Sequence, residues 1–209
     1  QRRNTLVIFV SDNGGTINTY SNNAPLNGWK YMFGEGGIRI PMLVSMPGAL
    51  PENRVNKTAL VSTMDIFPTV AELTGTRLPS NLDGLSLLPL LRGERETHHD
   101  WLAWAQNRDQ WVIRKGKWKL TNKVGWTHRD FALAPNGDVI PVAEDYSYPE
   151  EPQLFDLESD IGEATNLIKQ RPEIAAELRA IHKGWNQEMP GPLTSKGEPK
   201  KKRKRKARK

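Results

Sequence analysis

Asp12 and Asn13 stand side by side where the apolar run Thr5-Leu6-Val7-Ile8-Phe9-Val10 ends, and Gly14-Gly15 follow them. A carboxylate and an amide oxygen are hard donors of the kind calcium collects, about six to eight to an ion, so further ligands must come from elsewhere. The same residues also suit a turn in which Asp and Asn cap backbone groups, and Ser11–Gly15 alone leaves both readings open. Lys30 adds a compact cation downstream, which by residue type alone reads as a solvated surface lysine. Glu35 and Arg39 suit an ion pair or loop anchor behind such a site, and Gly34, Gly36 and Gly37 suit tight backbone packing. His98 and His99 are metal ligands by type, but adjacent side chains usually diverge, so solvent exposure or a substrate-side contact is expected of them. His182 falls near the apolar face of a helix and reads as structural. The seven Trp residues suit core and interface packing, with Trp126 singled out as a candidate substrate contact.

The elements that must position these residues follow from pattern. Thr5–Val10 has the length and β-branched content of a buried strand, and Ile38–Met46 reads as a second, stopped by Pro47-Gly48. Strand ends of this kind are where α/β sheets gather ligands. A helix is expected from Ser62 or Thr63, with Ile66, Phe67, Val70 and Leu73 packing on the sheet, Pro68 in its first turn and Gly75 ending it. Ser86–Leu91 adds a short turn. Beyond Asp100 the texture changes to short alternating runs at Trp101–Ala105, Gln110–Arg114 and Lys117–Thr121, the last two joined as a hairpin at Lys115-Gly116. Residues 122–150 read as irregular with a turn at Asn136-Gly137-Asp138, and Gln153–Leu157 as a further strand. Pro172 opens a helix whose Ile174, Leu178, Ile181 and Trp185 share a face able to lie across that small sheet.

The chain's 209 residues suffice for a substantial core, and no apolar run approaches the roughly 18 residues of a membrane span. The absence of Cys excludes disulfides, thiolate zinc sites and a cysteine nucleophile within the sequence. The formal charge of +6 is misleading, because nine of the ten residues Lys200–Lys209 are basic. Without those nine, 21 basic residues face 24 acidic ones, a formal −3 over residues 1–199. Nothing therefore points to a basic nucleic-acid face on the body, whereas the tail suits contact with a polyanion and is expected to be disordered.

The order of motifs carries a resemblance. Strand, Ser11-Asp12-Asn13-Gly14-Gly15, Lys30 five residues before Glu35-Gly36-Gly37, then Ile38-Arg39-Ile40-Pro41 resembles the central region of formylglycine-dependent sulfatases of the alkaline phosphatase superfamily. Val61–Gly75, Asp83–Leu91, Arg114–Leu120 and Leu154–Leu167 are similar to that family's later segments, in the same order. The resemblance implies an α/β fold: part of an alkaline-phosphatase-like α/β sandwich (residues 1–99), then a small antiparallel sheet with a C-terminal helix (residues 100–190) before the tail (191–209). It implies calcium as cofactor, with Asp12 and Asn13 as two of its ligands, and Lys30 as a catalytic residue that binds the sulfate and helps to protonate the leaving oxygen. His128 would contribute to a rim over the substrate.

The family's formylglycine arises from a Cys or Ser in a motif ending in Pro-x-Arg, and this chain contains none. Ser45-Met46-Pro47-Gly48-Ala49 ends in Ala and lies downstream of the metal pair, so the nucleophile is expected upstream of Gln1 and the chain alone is expected to be inactive. The resemblance implies the C-terminal part of a sulfuric ester hydrolase acting on a sulfated small molecule or polysaccharide, in a periplasmic or extracellular setting. Two other readings stay open: a metal-dependent phosphate or phosphonate ester hydrolase of the same superfamily, and a non-catalytic polyanion-binding protein.

Overall fold

The apolar run becomes β1 (Val7–Val10) in a computed structural model, which describes residues 2–16, 21–106, 110–122, 131–133, 139–141 and 152–189. The second strand starts later than expected, because the glycine-rich stretch first forms α1 (Glu35–Ile38) and extended pairing begins only after Pro41. β2 (Met42–Ser45) then runs antiparallel to β1, with Val7 opposite Ser45 and Val10 opposite Met42. Nor is β1 fully buried. Ile8, Val10, Met42 and Val44 are half-buried on one face of the two-stranded sheet, while Val7, Phe9 and Leu43 stand exposed on the other.

The Ser62 hydroxyl accepts the Met64 N–H at 3.3 Å while the Asp65 carboxylate accepts the Ser62 N–H at 2.8 Å, a reciprocal cap that starts the helical segment. α2 (Ile66–Thr74) follows, with Pro68 in its first turn and Gly75 ending it in the left-handed region at φ 69°. Its buried face is not the expected one: Pro68, Thr69 and Ala71 turn inward, whereas Phe67 and Val70 are exposed. The Thr69 hydroxyl explains this, since it donates to the Asp65 carbonyl at 2.6 Å and accepts from the Leu87 N–H at 2.8 Å. The chain running into α3 (Leu88–Arg92) thus covers α2 on that side.

Beyond Asp100 come β3 (Trp101–Gln106), β4 (Gln110–Lys115) and β5 (Trp118–Thr121), the last two joined through Gly116 at φ 53°. The stretch expected to be irregular contains a short antiparallel pair, β6 (Phe131–Leu133) with β7 (Val139–Pro141). β8 (Gln153–Asp156) completes an all-antiparallel sheet in the order β3-β4-β5-β8. α4 (Pro172–Glu188) lies across it as its apolar face requires, closing a core of Ile113, Leu120 and Leu154 against Ile168, Ala175 and Leu178. The expected turn at 136–138, Trp126, His128 and the tail Lys200–Lys209 lie outside the described residues.

His182, on α4, stacks on Trp111 with ring centroids 3.9 Å apart, so its structural reading holds. Burial lowers its pKa below the ordinary histidine value. The unfolded chain therefore takes up the proton first as pH falls, and the residue's contribution is full above the ordinary value and lost as pH drops through the folded one. His182→Phe, which keeps an aromatic stack, is expected to reduce the loss of unfolding free energy between neutral and mildly acidic pH. Urea titrations across that range check this, and identical pH slopes in the two proteins would count against it.

Candidate functional site

β1 delivers Asp12 and Asn13 to the edge of a cavity of about 710 Å³, whose far wall includes Trp104, Gln106 and Arg114 from the small sheet. Asp12 Oδ1 accepts the Asn13 N–H at 3.0 Å, and the Asn13 side-chain amide donates to the Gly14 carbonyl at 3.0 Å. These bonds leave the second Asp12 oxygen and Asn13 Oδ1 without protein donors among the described residues, while both residues line the cavity. The donor set is oxygen only, which fits a hard cation such as calcium.

Three backbone segments converge behind this pair. Gly14 N–H donates to the Gly37 carbonyl at 2.9 Å, Gly36 N–H to Asn27 at 2.6 Å, and Lys30 N–H to Gly15 at 2.9 Å. The Asn23 side chain closes the seam by accepting the Gly15 N–H at 3.1 Å and donating to the Gly15 and Gly28 carbonyls, each at 3.0 Å. Such closeness excludes side chains, since a Cβ on Gly14 would stand 1.7 Å from the Gly36 carbonyl oxygen. Gly14→Ala is accordingly expected to cost roughly 1–3 kcal/mol, the usual penalty of overpacking, and to displace Asp12 and Asn13. Chemical denaturation checks the stability cost, and a wild-type result would refute the close approach.

Lys30 is tied to the Asp12–Asn13 loop through its backbone, but its side chain is not part of the cavity wall. Its ammonium lies 5.5 Å from the ring centroid of Tyr31, which does line the cavity. Tyr31 holds φ at 78°, a left-handed conformation uncommon for a bulky residue and often kept where function requires it.

Glu35 and Arg39 form the anticipated ion pair at 3.5 Å, within a larger network the sequence did not disclose. Fully buried Glu35 also meets Arg114 at 3.2 Å and Lys119 at 3.0 Å, and Lys119 meets Glu163 at 2.7 Å, an ion pair outside hydrogen-bond angles. Glu163 turns back to accept the Glu35 N–H at 2.6 Å. Burial pushes the Glu163 pKa up against the pull of Lys119, and lowers that of Arg114 against the pull of Glu35. The network bolts α1, which carries Gly36 and Gly37, to β4 and β5.

The expectation of exposed or substrate-facing His98 and His99 is overturned. Both side chains are buried on Asp65, with His99 Nε2 at 2.8 Å from Oδ1 and His98 Nε2 at 3.3 Å from Oδ2. Their rings avoid divergence by standing nearly perpendicular, at 81°.

A family model described as Sulfatase matches residues 1–76. A "Sulfatase" of Formosa agariphila is 35% identical over 195 residues, covering 87% of this chain and 33% of its own length. The chain belongs to the sulfatase family. Human arylsulfatase D is 35% identical over 79% of this chain and 31% of its own, and an N-acetylgalactosamine-6-O-sulfatase of Bacteroides thetaiotaomicron 31% over 85% and 35%. The chain thus spans about a third of the length of these sulfatases. Among solved structures, a 6S-sulfatase from work on glycosaminoglycan metabolism by Bacteroides thetaiotaomicron superposes with TM-score 0.68 at 28% identity, over 89% of this chain and 39% of that one. Ps i-CgsB bound to k-i-k-neocarrahexaose gives 0.69 at 27%, over 88% and 37%. The α/β portion followed by a four-stranded antiparallel sheet and a terminal helix is therefore the sulfatase arrangement.

Proposed function

We propose that these residues form part of a sulfuric ester hydrolase acting on a sulfated carbohydrate, with Asp12 and Asn13 holding calcium and Lys30 engaging the sulfate. The observation that carries this reading is the pair of oxygens on the cavity edge that have no protein donor among the described residues, held by the Gly14–Gly37 seam. Kinship to an N-acetylgalactosamine-6-O-sulfatase and to a structure bound to a neocarrahexaose supports a glycan substrate. Bound calcium would supply positive charge where the sulfate's own charge repels a nucleophile. Asp12 and Asn13 would fix its position, and Lys30, whose ammonium lies beside the Tyr31 ring and outside the cavity wall, would turn into the cavity to neutralise the sulfate and give a proton to the departing oxygen. The nucleophile, a formylglycine in this reading, and the remaining calcium ligands come from outside residues 1–209, so these residues alone would not turn over substrate. A periplasmic or extracellular setting fits such substrates, and the basic run Lys200–Lys209 fits retention near a polyanionic polysaccharide.

The test is hydrolysis of a sulfated monosaccharide and its phosphate counterpart by the longest natural form of the protein. Asp12→Ala is expected to lower sulfate-ester turnover roughly 10²-fold or more and to weaken calcium binding. Preference for the phosphate ester, or full activity in Asp12→Ala, would sink the proposal.

A further inference from the structure

Among the described residues, Asp65, His98 and His99 are the only His, Asp and Glu side chains that converge as a group of three, with their ligand atoms all within 4.8 Å of one another. Backbone and chain connectivity have already oriented two of them. Asp65 Oδ2 accepts the Ser62 N–H at 2.8 Å and Oδ1 the Leu85 N–H at 2.9 Å, leaving one side of the carboxylate to the imidazoles. His99 is held by its own N–H, which donates to the Leu60 carbonyl at 3.2 Å.

His98 supplies the independent observation. Its side chain is only 2% exposed, yet Nε2 has no hydrogen-bond partner although it faces Asp65 Oδ2 at 3.3 Å. A buried imidazole nitrogen left unpaired costs free energy, and a cation between it and the carboxylate supplies the missing partner.

We propose that Asp65, His98 and His99 form a structural site for a borderline transition metal of the zinc class, distinct from the oxygen-only pair Asp12–Asn13. Two imidazoles and a carboxylate are a common zinc set, with bonds of about 2.0 Å and hence ligand separations of about 3.3 Å in a tetrahedron. The His98 and His99 nitrogens face different oxygens of Asp65, at 3.3 and 2.8 Å, and the three ligand atoms lie within 4.8 Å of one another, so binding draws them together around one ion and replaces the His99–Asp65 hydrogen bond. The Ser62 and Leu85 amides become the outer hydrogen bonds that orient the ligating carboxylate. His99, with 10% of its side chain exposed, marks the entry side, where water completes the tetrahedron. The metal ties the start of α2 to the residues that lead into β3.

The experiment uses the longest natural form of the protein, saturated with calcium and stripped of transition metals by a chelator, then titrated with cobalt(II). The expected result is a saturable visible absorption equivalent to one tetrahedral cobalt per chain, displaced by zinc, with zinc also raising the unfolding temperature. His98→Gln should weaken cobalt binding by roughly tenfold or more, while Asp12→Ala keeps the absorption. Absence of a saturable band in the wild type, or a band unchanged in His98→Gln, overturns the proposal. Since the readout is spectroscopic, failure here leaves the hydrolase reading untouched, and failure of that reading leaves this site standing.

Discussion

Lys119→Met is expected to cost about 3–5 kcal/mol of unfolding free energy, the largest stability effect foreseen for any single change in this chain. Lys119 is fully buried on β5 between two carboxylates, Glu35 at 3.0 Å and Glu163 at 2.7 Å. Methionine fills similar space but leaves those carboxylates facing each other without the cation between them, where water cannot screen their repulsion. Arg114 and Arg39 still compensate Glu35 in part, which keeps the cost below that of an isolated buried charge. The double change Lys119→Met with Glu163→Gln should recover part of the loss, because it removes the carboxylate that depended most on Lys119. Urea denaturation of the three proteins gives the coupling directly. A Lys119→Met protein within about 0.5 kcal/mol of wild type would show that the network contributes no more than a surface pair.

What the sequence disclosed and what it hid divide by distance along the chain. The β4–β5 hairpin and α4 depend on neighbours: Gly116 at the turn, Pro172 at the helix start, and Ile174, Leu178 and Ile181 at helical spacing. The Asp12–Asn13 loop was legible for the same reason, since a strand, two oxygen donors and two glycines are contiguous. Lys119 was not, because a lysine between Trp118 and Leu120 looks like the solvent side of an edge strand until Glu35, 84 residues away, covers it. The alternation of β5 offered a hint, as Leu120 faces the α4 core and Lys119 must face the other way. Asp65 with His98 and His99 was hidden likewise, since nothing local aimed the histidines at an aspartate 34 residues before His99. The helix face of α2 failed for a different reason. Phe67 and Val70 are the more apolar side chains, but the hydroxyl of Thr69 found partners on both sides and fixed the rotation of a helix only nine residues long.

Lys30→Ala is expected to lower turnover of a sulfate ester by roughly 10²–10³-fold in the longest natural form of the protein, with little change in stability. The backbone at Lys30 is fixed by its N–H bond to Gly15, which alanine retains, and that bond belongs to the same seam that holds Asp12 and Asn13. The change removes the aliphatic stem with the ammonium, and the Tyr31 ring 5.5 Å from that ammonium is too weak a partner for its loss to unfold the chain. The effect should therefore fall on kcat, where charge moves to the leaving oxygen, more than on KM. Lys30→Arg should restore little, since a planar guanidinium differs in reach and does not release a proton near neutral pH. Calcium affinity in Lys30→Ala should match wild type, which separates loss of the ammonium from collapse of the loop. A variant with wild-type kcat would remove Lys30 from the chemistry. One that loses calcium along with activity would show that the side chain holds the loop and leaves the sulfate to other residues.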